Sequence, residues 1–412
     1  MVAVASLLLA GCGGRAADPG LVPHRPPAHG RTPEPPATTS PTTSLPSATP
    51  TTVLTPVTPA PGWAAPLTAL PPGGGFTSVS CLSDTFCIAA GGGDNQADID
   101  DTAGAGVSDS WDGAAWADPS VYFPAPTTGT QTAPIMPAIS CTGGPLCVIV
   151  DGTDHVSSGN GTDWSALSAL SPGPGPMPPA NPADPGAGHP GSRHADVSCP
   201  APTFCAAVDN TGHVAVLVDG HWTSLQALVT GPPATSLYVE GPVGLSCPTT
   251  SACLAVVGPD VFGWDGTSWA KQSSWTTPSA GGTMGTGVSC PEVTLCWLVS
   301  GKQAVEWSAG QWLSPQTIDP AGGLDAVSCP TVTFCVAADT SGSVATWNGT
   351  AWSLPRHVLP APTEYSGDPT SVSCPDAQFC MVLDGDGDYT TFTGAAPIGR
   401  PGPPATAGPA TP

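Results

Sequence analysis

Positive charge is scarce in this sequence. The 412 residues include 8 Lys and Arg against 31 Asp and Glu, which gives a formal net charge of −23. Three of the basic residues, Arg15, Arg25 and Arg31, lie close to the N-terminus. A phosphate backbone would be repelled by a chain with this charge, so the composition argues against nucleic acid as a partner.

Long apolar segments are also lacking. The apolar run at residues 2–10 is too short to cross a bilayer but has the length of a signal-peptide core, and no other segment could span a membrane. The run ends in Leu9-Ala10-Gly11-Cys12, which resembles the lipobox of bacterial lipoproteins. No Lys or Arg precedes the run, which departs from that pattern. The resemblance implies cleavage before Cys12, lipidation of Cys12, and an extracytoplasmic protein anchored to the cell membrane.

Familiar catalytic motifs are missing as well. The sequence contains no G-x-S-x-G, no HExxH and no phosphate-binding glycine loop. His155, His213, His221 and His357 do not recur in register with any repeat, and His189 and His194 lie in a Pro/Gly-rich segment at 171–194. We therefore expect no catalytic residues, no metal site built on histidine and no cofactor.

Residues 13–62 and 395–412 contain few large apolar side chains and many Pro, Thr, Ser and Gly. Segments of this composition cannot bury enough apolar surface to fold. The sequence predicts a signal peptide with its lipidated cysteine at 1–12, a disordered stalk at 13–62, one folded domain at 63–394 and a disordered tail at 395–412.

The folded segment consists of seven repeats of Ser-Cys, five residues and Cys. The first cysteines of successive repeats are 39 to 60 residues apart, which is the length of a four-stranded propeller blade with variable loops. These pairs, with Cys12, account for all 15 cysteines: Cys81 and Cys87, Cys141 and Cys147, Cys199 and Cys205, Cys247 and Cys253, Cys290 and Cys296, Cys329 and Cys335, and Cys374 and Cys380. The prediction is an all-β, seven-bladed β-propeller of four-stranded antiparallel blades.

A tryptophan near the end of each repeat indicates how the ring closes. Six repeats end in such a residue, the seventh does not, and Trp63 precedes the first repeat. We expect the strand around Trp63 to complete blade seven next to the strand ending near Phe392, so that no sheet edge remains open. The tryptophans themselves are expected in the core between blades.

The two cysteines of each repeat face one another across a tight hairpin in this arrangement. Disulfides suit an exported protein, and a seven-residue loop would contribute roughly 2 kcal/mol through chain entropy. Zinc is the alternative, although its ligand pairs are usually spaced C-x2-4-C.

Asp-Gly and Asn-Gly pairs at 112–113, 219–220, 265–266 and 348–349 predict further hairpins, since type I′ turns need positive φ.

The two faces of the predicted ring differ. The short cysteine turns and the Asp-Gly turns share one face, and the longer, irregular connections share the other, which we call the long-loop face. A binding surface is expected on the long-loop face. Aspartates at its turns are candidate binding residues, with calcium as one possible ligand for the last three and turn formation as the alternative for all: Asp151, Asp209, Asp339, Asp384, Asp386 and Asp388.

The V-S-C-P-x4-C and W-D-G-T-x-W repeats resemble the Cys-paired propeller repeats of exported actinobacterial proteins. That resemblance implies a fold and a location.

The expected function is a monomeric binding or scaffold module, anchored to the membrane by its lipid, for a protein, glycan or envelope component. The alternative is a glycosidase-like hydrolase or lyase with acidic loop residues at the channel mouth. The D-G-x-x-W motifs also resemble sialidase Asp-boxes, but the propeller holds only Arg193 and Arg356, too few for a sialidase arginine triad.

Overall fold

The cysteine repeats fold as seven antiparallel sheets. The computed structural model describes residues 62–68, 76–92, 106–123, 137–143, 146–151, 155–170, 195–209, 212–228, 243–274, 287–308, 310–360 and 370–394. These residues contain strands and turns, and no helix among them could cross a membrane. The predictions for Cys12, the stalk up to residue 61, segment 171–194 and the tail at 395–412 fall outside the described residues.

The strands of the first four blades follow one another in chain order. Strand β1 is Leu67–Thr68, and blade 1 contains β2 (Phe76–Ser83), β3 (Phe86–Gly92), β4 (Gly106–Trp111) and β5 (Ser120–Phe123). Blade 2 contains β6 (Ala138–Thr142), β7 (Leu146–Val150), β8 (His155–Gly159) and β9 (Ser168–Ala169). Blade 3 contains β10 (Ala195–Ala201), β11 (Phe204–Asp209), β12 (His213–Val218), β13 (His221–Trp222) and β14 (Gln226–Ala227), and blade 4 contains β15 (Val243–Thr249), β16 (Ala252–Val257), β17 (Asp260–Trp264) and β18 (Trp269–Ser274).

The last three blades repeat the pattern. Blade 5 contains β19 (Gly287–Glu292), β20 (Leu295–Ser300), β21 (Gln303–Ser308), β22 (Gln311–Trp312) and β23 (Gln316–Thr317). Blade 6 contains β24 (Leu324–Thr331), β25 (Phe334–Asp339), β26 (Ser343–Trp347) and β27 (Arg356–His357). Blade 7 contains β28 (Ser371–Asp376), β29 (Phe379–Leu383) and β30 (Asp388–Thr393), with β1 as its fourth strand.

The ring closes as predicted. Strand β1 pairs with β30, with Leu67 opposite Tyr389, and Trp63 forms a bridge with Phe392. Trp63 is buried, and its ring lies 5.4 Å from that of Phe392. The outer strand of blade 7 therefore comes from the beginning of the domain and its inner three strands from the end, which leaves no edge exposed at the junction.

The first strands of neighbouring blades lie side by side around the ring. In every blade, a serine directly precedes the first cysteine. Its hydroxyl accepts a hydrogen bond from the backbone N–H of the first cysteine of the next blade. Seven such bonds of 2.9–3.0 Å run around the ring, and Ser373 closes it by accepting from Cys81. We call this circle of bonds the serine girdle; its members are Ser80, Ser140, Ser198, Ser246, Ser289, Ser328 and Ser373.

The hydrophobic core is divided into seven clusters, one at each interface between neighbouring blades. One of the tryptophans that close the repeats belongs to each cluster or packs against it, which confirms their predicted place in the core; Trp63 is buried and the other six are partly buried. Small residues of the second strands, such as Ala89 and Ala337, are fully buried there and let the sheets approach closely. The closing tryptophans are Trp116, Trp164, Trp222, Trp352, Trp63, Trp269 and Trp312.

All seven cysteine pairs form disulfides within their own repeats, as predicted. Each bond joins the first and second strands of a blade across a sequence separation of 6 residues, with Cα atoms 3.9–4.1 Å apart. The bonds fix the tightest hairpin of every blade.

The predicted Asp-Gly and Asn-Gly hairpins are present, but only one has positive φ at both central residues. Asp219 has a φ of 50° and Gly220 of 80°, as a type I′ turn requires. At Asp112, Asp265 and Asn348 only the following glycine has positive φ. There the side chain accepts hydrogen bonds from the backbone N–H groups two and three residues later, which forms a longer loop before the tryptophan.

Candidate functional site

The cysteine turns and the Asp-Gly turns meet on one side of the ring, as the strand order predicts. Gly113 lies against Thr85 of the cysteine turn, and the Trp111 indole N–H donates to the backbone oxygen of Asp84 at 3.0 Å. Blade 6 has the same contact, since Trp347 donates to the oxygen of Val332 at 3.2 Å. We call this side, formed by the turns after the first and third strands, the cysteine-turn face.

The cysteine-turn face is acidic. Its described turns contain no Lys or Arg. Three further residues of these turns are not among the described ones, Gly144, Pro145 and Ala309, and their side chains carry no charge. Exposed apolar side chains accompany the carboxylates, with Val293 55% and Val332 39% exposed. Seven exposed carboxylates lie on this face: Asp84, Asp112, Asp163, Asp219, Asp265, Glu292 and Asp376.

Hydrogen bonds hold some of these carboxylates in the ionised form. The hydroxyl and backbone of Thr267 and the backbone of Ser268 lower the pKa of Asp265 to about 2. Backbone donors at Ala115 and Ala114 lower the pKa of Asp112. Such bonds stabilise a carboxylate relative to its protonated form, so both groups keep their charge at physiological pH.

The aspartates predicted to bind on the long-loop face form the turns between second and third strands. Asp209 and Asp339 end the second strands of their blades, Asp151 directly follows the second strand of its blade, and all three are almost fully buried. Each accepts a hydrogen bond from the backbone N–H four residues later, at 2.9, 2.8 and 2.7 Å. The structure places them in separate blades with a turn-forming role, and a role in binding stays a prediction.

Asp384, Asp386 and Asp388 occupy the same turn in blade 7. Asp384 accepts from the backbone of Asp386 and Asp388, at 3.1 and 3.0 Å, and Asp388 accepts from the hydroxyl of Thr68. Burial and the nearby charge of Asp388 raise the pKa of Asp384 to about 7. Among the described residues no three His, Cys, Asp or Glu side chains have metal-site spacing. Calcium binding by this turn stays a prediction.

Two histidines do recur in register, contrary to the sequence prediction. His155 and His213 each begin the third strand of their blade, four residues after the turn aspartate. Their Nδ1 atoms lie 3.7 Å from Asp151 and 3.5 Å from Asp209. The D-x-x-x-H spacing could have revealed this pair, but loops of different length before each repeat obscured the alignment.

Sequence reasoning also missed two aspartates on the strands, Asp196, which is partly buried, and Asp109, which is buried. Asp196 on β10 accepts from Leu245 of the next blade at 2.7 Å, and burial raises its pKa to about 7. Asp109 on β4 is 2% exposed, and burial raises its pKa to about 6. Nothing in the local sequence separates these two residues from turn aspartates, because their burial depends on neighbouring strands.

An open groove of about 290 Å³ lies at the junction of blades 3 and 4. Phe262 and Trp269 form its apolar wall, and an ion pair of 2.7 Å between Lys271 and Asp260 forms its polar side. Lys271 is already paired with Asp260, and the accessible lining of the groove is more polar than apolar.

The geometry defines the class of protein, a closed seven-bladed β-propeller with one disulfide per blade. No protein-family model and no curated protein matches the sequence. Among solved structures, the chain is similar to one from the "Mitotic Checkpoint Complex", with 12% identity, a TM-score of 0.52, and coverage of 86% of this chain and 99% of that one. This likeness supports the propeller fold.

Two further solved structures are similar at lower TM-scores. One is "YCF48 bound to D1 peptide", with 14% identity, a TM-score of 0.48, and coverage of 82% of this chain and 99% of that chain. The other is YCF48 from Cyanidioschyzon merolae, with 15% identity, a TM-score of 0.49, and coverage of 80% and 99%.

Proposed function

We propose that this chain is a non-enzymatic, extracytoplasmic binding module. Its partner is a protein whose surface is positively charged. A lipid on Cys12 holds it at the membrane, and the segment at 13–62 separates the propeller from the bilayer. Seven disulfides support an oxidising compartment. The lipobox resemblance at residues 9–12 supports the anchor.

The cysteine-turn face carries the proposal. A surface with seven exposed carboxylates and no Lys or Arg in its described turns attracts cationic partners and repels acidic ones. Val293 and Val332 add exposed apolar area beside the carboxylates, which a protein partner could bury. The long-loop face remains the competing location, because most of its connections fall outside the described residues.

The experiment compares the two faces. The quadruple variant Asp84→Asn, Asp112→Asn, Asp219→Asn and Asp265→Asn removes four charges from the cysteine-turn face. Asn160 and Asn348 already form the loops that correspond to those of Asp112 and Asp265, through the same hydrogen bonds, so these two loops should survive. Asn also suits the type I′ turn at Asp219. The comparison variant deletes residues 171–194, which belong to a connection that the sequence predicts on the long-loop face. Both are immobilised beside the unaltered chain and exposed to a detergent extract of the cell envelope.

The expected result is a captured protein with a basic surface, whose binding falls at least tenfold in the quadruple variant and weakens with salt. The deletion variant should capture it unchanged. Loss of capture by the deletion variant alone would move the site to the long-loop face. Equal capture by all three chains, with unaltered thermal unfolding, would contradict a charged docking surface.

A further inference from the structure

Three buried carboxyl groups meet on the long-loop side of the interface between blades 5 and 6. Asp319 belongs to the connection between β23 and β24, Asp325 lies on β24, and Asp339 ends β25. Their exposed fractions are 2%, 9% and 2%. Three ionised carboxylates in such a place would repel one another with little water to screen them.

The three groups differ in their hydrogen bonds. Asp339 Oδ1 accepts from the backbone of Ser341 at 2.9 Å, from the Ser341 hydroxyl at 2.8 Å and from the backbone of Ser343 at 2.7 Å. In contrast, Asp319 Oδ2 and Asp325 Oδ1 are buried without a hydrogen-bond partner. A buried carboxylate oxygen without a donor is costly, whereas a protonated carboxyl group can donate a hydrogen bond.

Electrostatics supports the same assignment. Burial, with the charge of Asp339, raises the pKa of Asp319. Burial, again with the charge of Asp339, raises the pKa of Asp325 well above its usual range. Asp319 also lies within hydrogen-bonding reach of the Asp339 carboxylate, so its proton has an acceptor. Both shifts favour the protonated forms of Asp319 and Asp325.

The connection that carries Asp319 is held to both blades. The backbone N–H of Asp319 donates to the oxygen of Lys302 at 3.2 Å, and Gly323 donates to Gly301 at 2.9 Å, both in the turn of blade 5. On the other side, Thr340 of blade 6 donates to the oxygen of Gly323 at 3.0 Å. Repulsion within the carboxyl cluster would act directly on residues 318–323.

A chain of side chains joins the cluster to the surface. From Asp339, the hydroxyl of Ser341 lies 3.1 Å from that of Ser343, which lies 3.1 Å from Nδ1 of the exposed His357. Among the described residues, the other charged side chains on the elements packed around the cluster are Lys302 on the blade 5 turn and Arg356 on β27, both exposed. Protons could reach Asp339 along this hydroxyl chain.

We propose that Asp319 and Asp325, when protonated, hold the connection at 318–323 against blades 5 and 6. When the two groups lose their protons, repulsion between the carboxylates weakens the attachment of this connection. We call this arrangement the latch. The latch is a pH-sensitive device in the fold and is independent of which face binds a partner.

Hydrogen exchange of the full chain, followed by mass spectrometry at about pH 5.5, 7 and 8.5, tests the latch. Exchange times are scaled for the intrinsic pH dependence of amide exchange. The peptide spanning 316–326 reports on the latch, and a peptide from β16 in blade 4 reports on global opening. The double variant Asp319→Asn and Asp325→Asn places neutral amide groups, which can donate hydrogen bonds, where the protonated carboxyls stand. Asp265→Asn, on the opposite face, is the matched control.

In the unaltered chain, protection of 316–326 should fall at least tenfold between the lowest and highest pH, while protection of β16 falls less. Tenfold is the change that one unit of pKa difference produces. The double variant should stay protected at every pH, and the Asp265→Asn variant should behave like the unaltered chain. Unchanged protection with pH in the unaltered chain would overturn the proposal. So would a double variant that folds, by its protected β16, yet loses the connection at low pH.

Discussion

At the scale of single residues, the serine before each first cysteine does more than its small side chain suggests. Its hydroxyl accepts the backbone N–H of the next blade, so one atom per blade connects the innermost strands around the ring. The acceptor lies where no strand pairing exists, because first strands of neighbouring blades belong to different sheets. Without it, a backbone N–H of the next blade would lose its partner.

Replacing Ser328 by alanine tests this role. The backbone N–H of Cys374 would lose its acceptor at 3.0 Å, and we expect the free energy of unfolding to fall by about 1–3 kcal/mol. Denaturant unfolding, followed by tryptophan fluorescence, measures the change. Ser168, exposed at the outer edge of blade 2, provides the control, and its alanine variant should unfold like the unaltered chain. A Ser328→Ala variant as stable as that control would contradict the girdle.

At the scale of elements, the outer strand of blade 7 decides whether the ring is closed. Trp63 fills the interface between blades 6 and 7, beside Val336 and Leu359. Strand β1 covers β30, whose backbone would otherwise form an open sheet edge. The hydrogen bond from Ala64 to Thr391 adds to the pairing at 2.9 Å. The first and last parts of the domain therefore hold one another in place.

Two N-terminal truncations separate closure from the rest of the segment. Deletion of 1–53 keeps Trp63 and β1, and that chain should remain a monomer with unchanged stability. Deletion of 1–68 removes both, which should lower the free energy of unfolding by at least about 3–5 kcal/mol, the usual cost of losing a buried Trp. The exposed edge of β30 should also produce larger species. Denaturant unfolding and size-exclusion chromatography with light scattering measure both effects, and identical behaviour of the two chains would contradict closure by β1.

At the scale of the whole molecule, buried acidic groups make stability depend on pH in an uncommon direction. Burial raises the pKa of Asp109 to about 6 and those of Asp196 and Asp384 to about 7. In the unfolded chain these groups would lose their protons near their ordinary pKa of 3.8. The folded chain therefore binds more protons between about pH 4 and pH 7, and its stability decreases as the pH rises through that range.

Thermal unfolding between about pH 4.5 and 7.5 measures this dependence. We expect the midpoint temperature to fall steadily as the pH rises, and to fall less steeply in the Asp196→Asn variant, where one titrating group is replaced by a neutral amide. Asp265→Asn is the control, because a pKa of about 2 places that group outside the range. A midpoint that rises with pH would show that these carboxyl groups are ionised in the folded protein.

The sequence by itself determined the number of blades, the pairing of cysteines and the closure of the ring. Each of these depends on features that repeat, and all seven copies of the cysteine and tryptophan pattern indicate the same strand arrangement. It also placed the turn aspartates, since short polar side chains at strand ends form hydrogen bonds within a few residues. The common position of His155 and His213 was not recognised from the sequence, because loops of different length separate their repeats.

Only the tertiary structure decided which polar groups are buried together. Asp319 meets Asp339 because the connection from blade 5 is hydrogen-bonded to the turn of blade 6. Asp325 meets it because the preceding residue, Leu324, pairs with Asp339. The acidic cysteine-turn face likewise combines residues from six blades. Burial and charge depend on distances between segments far apart in the chain, and a local pattern carries no information about such distances.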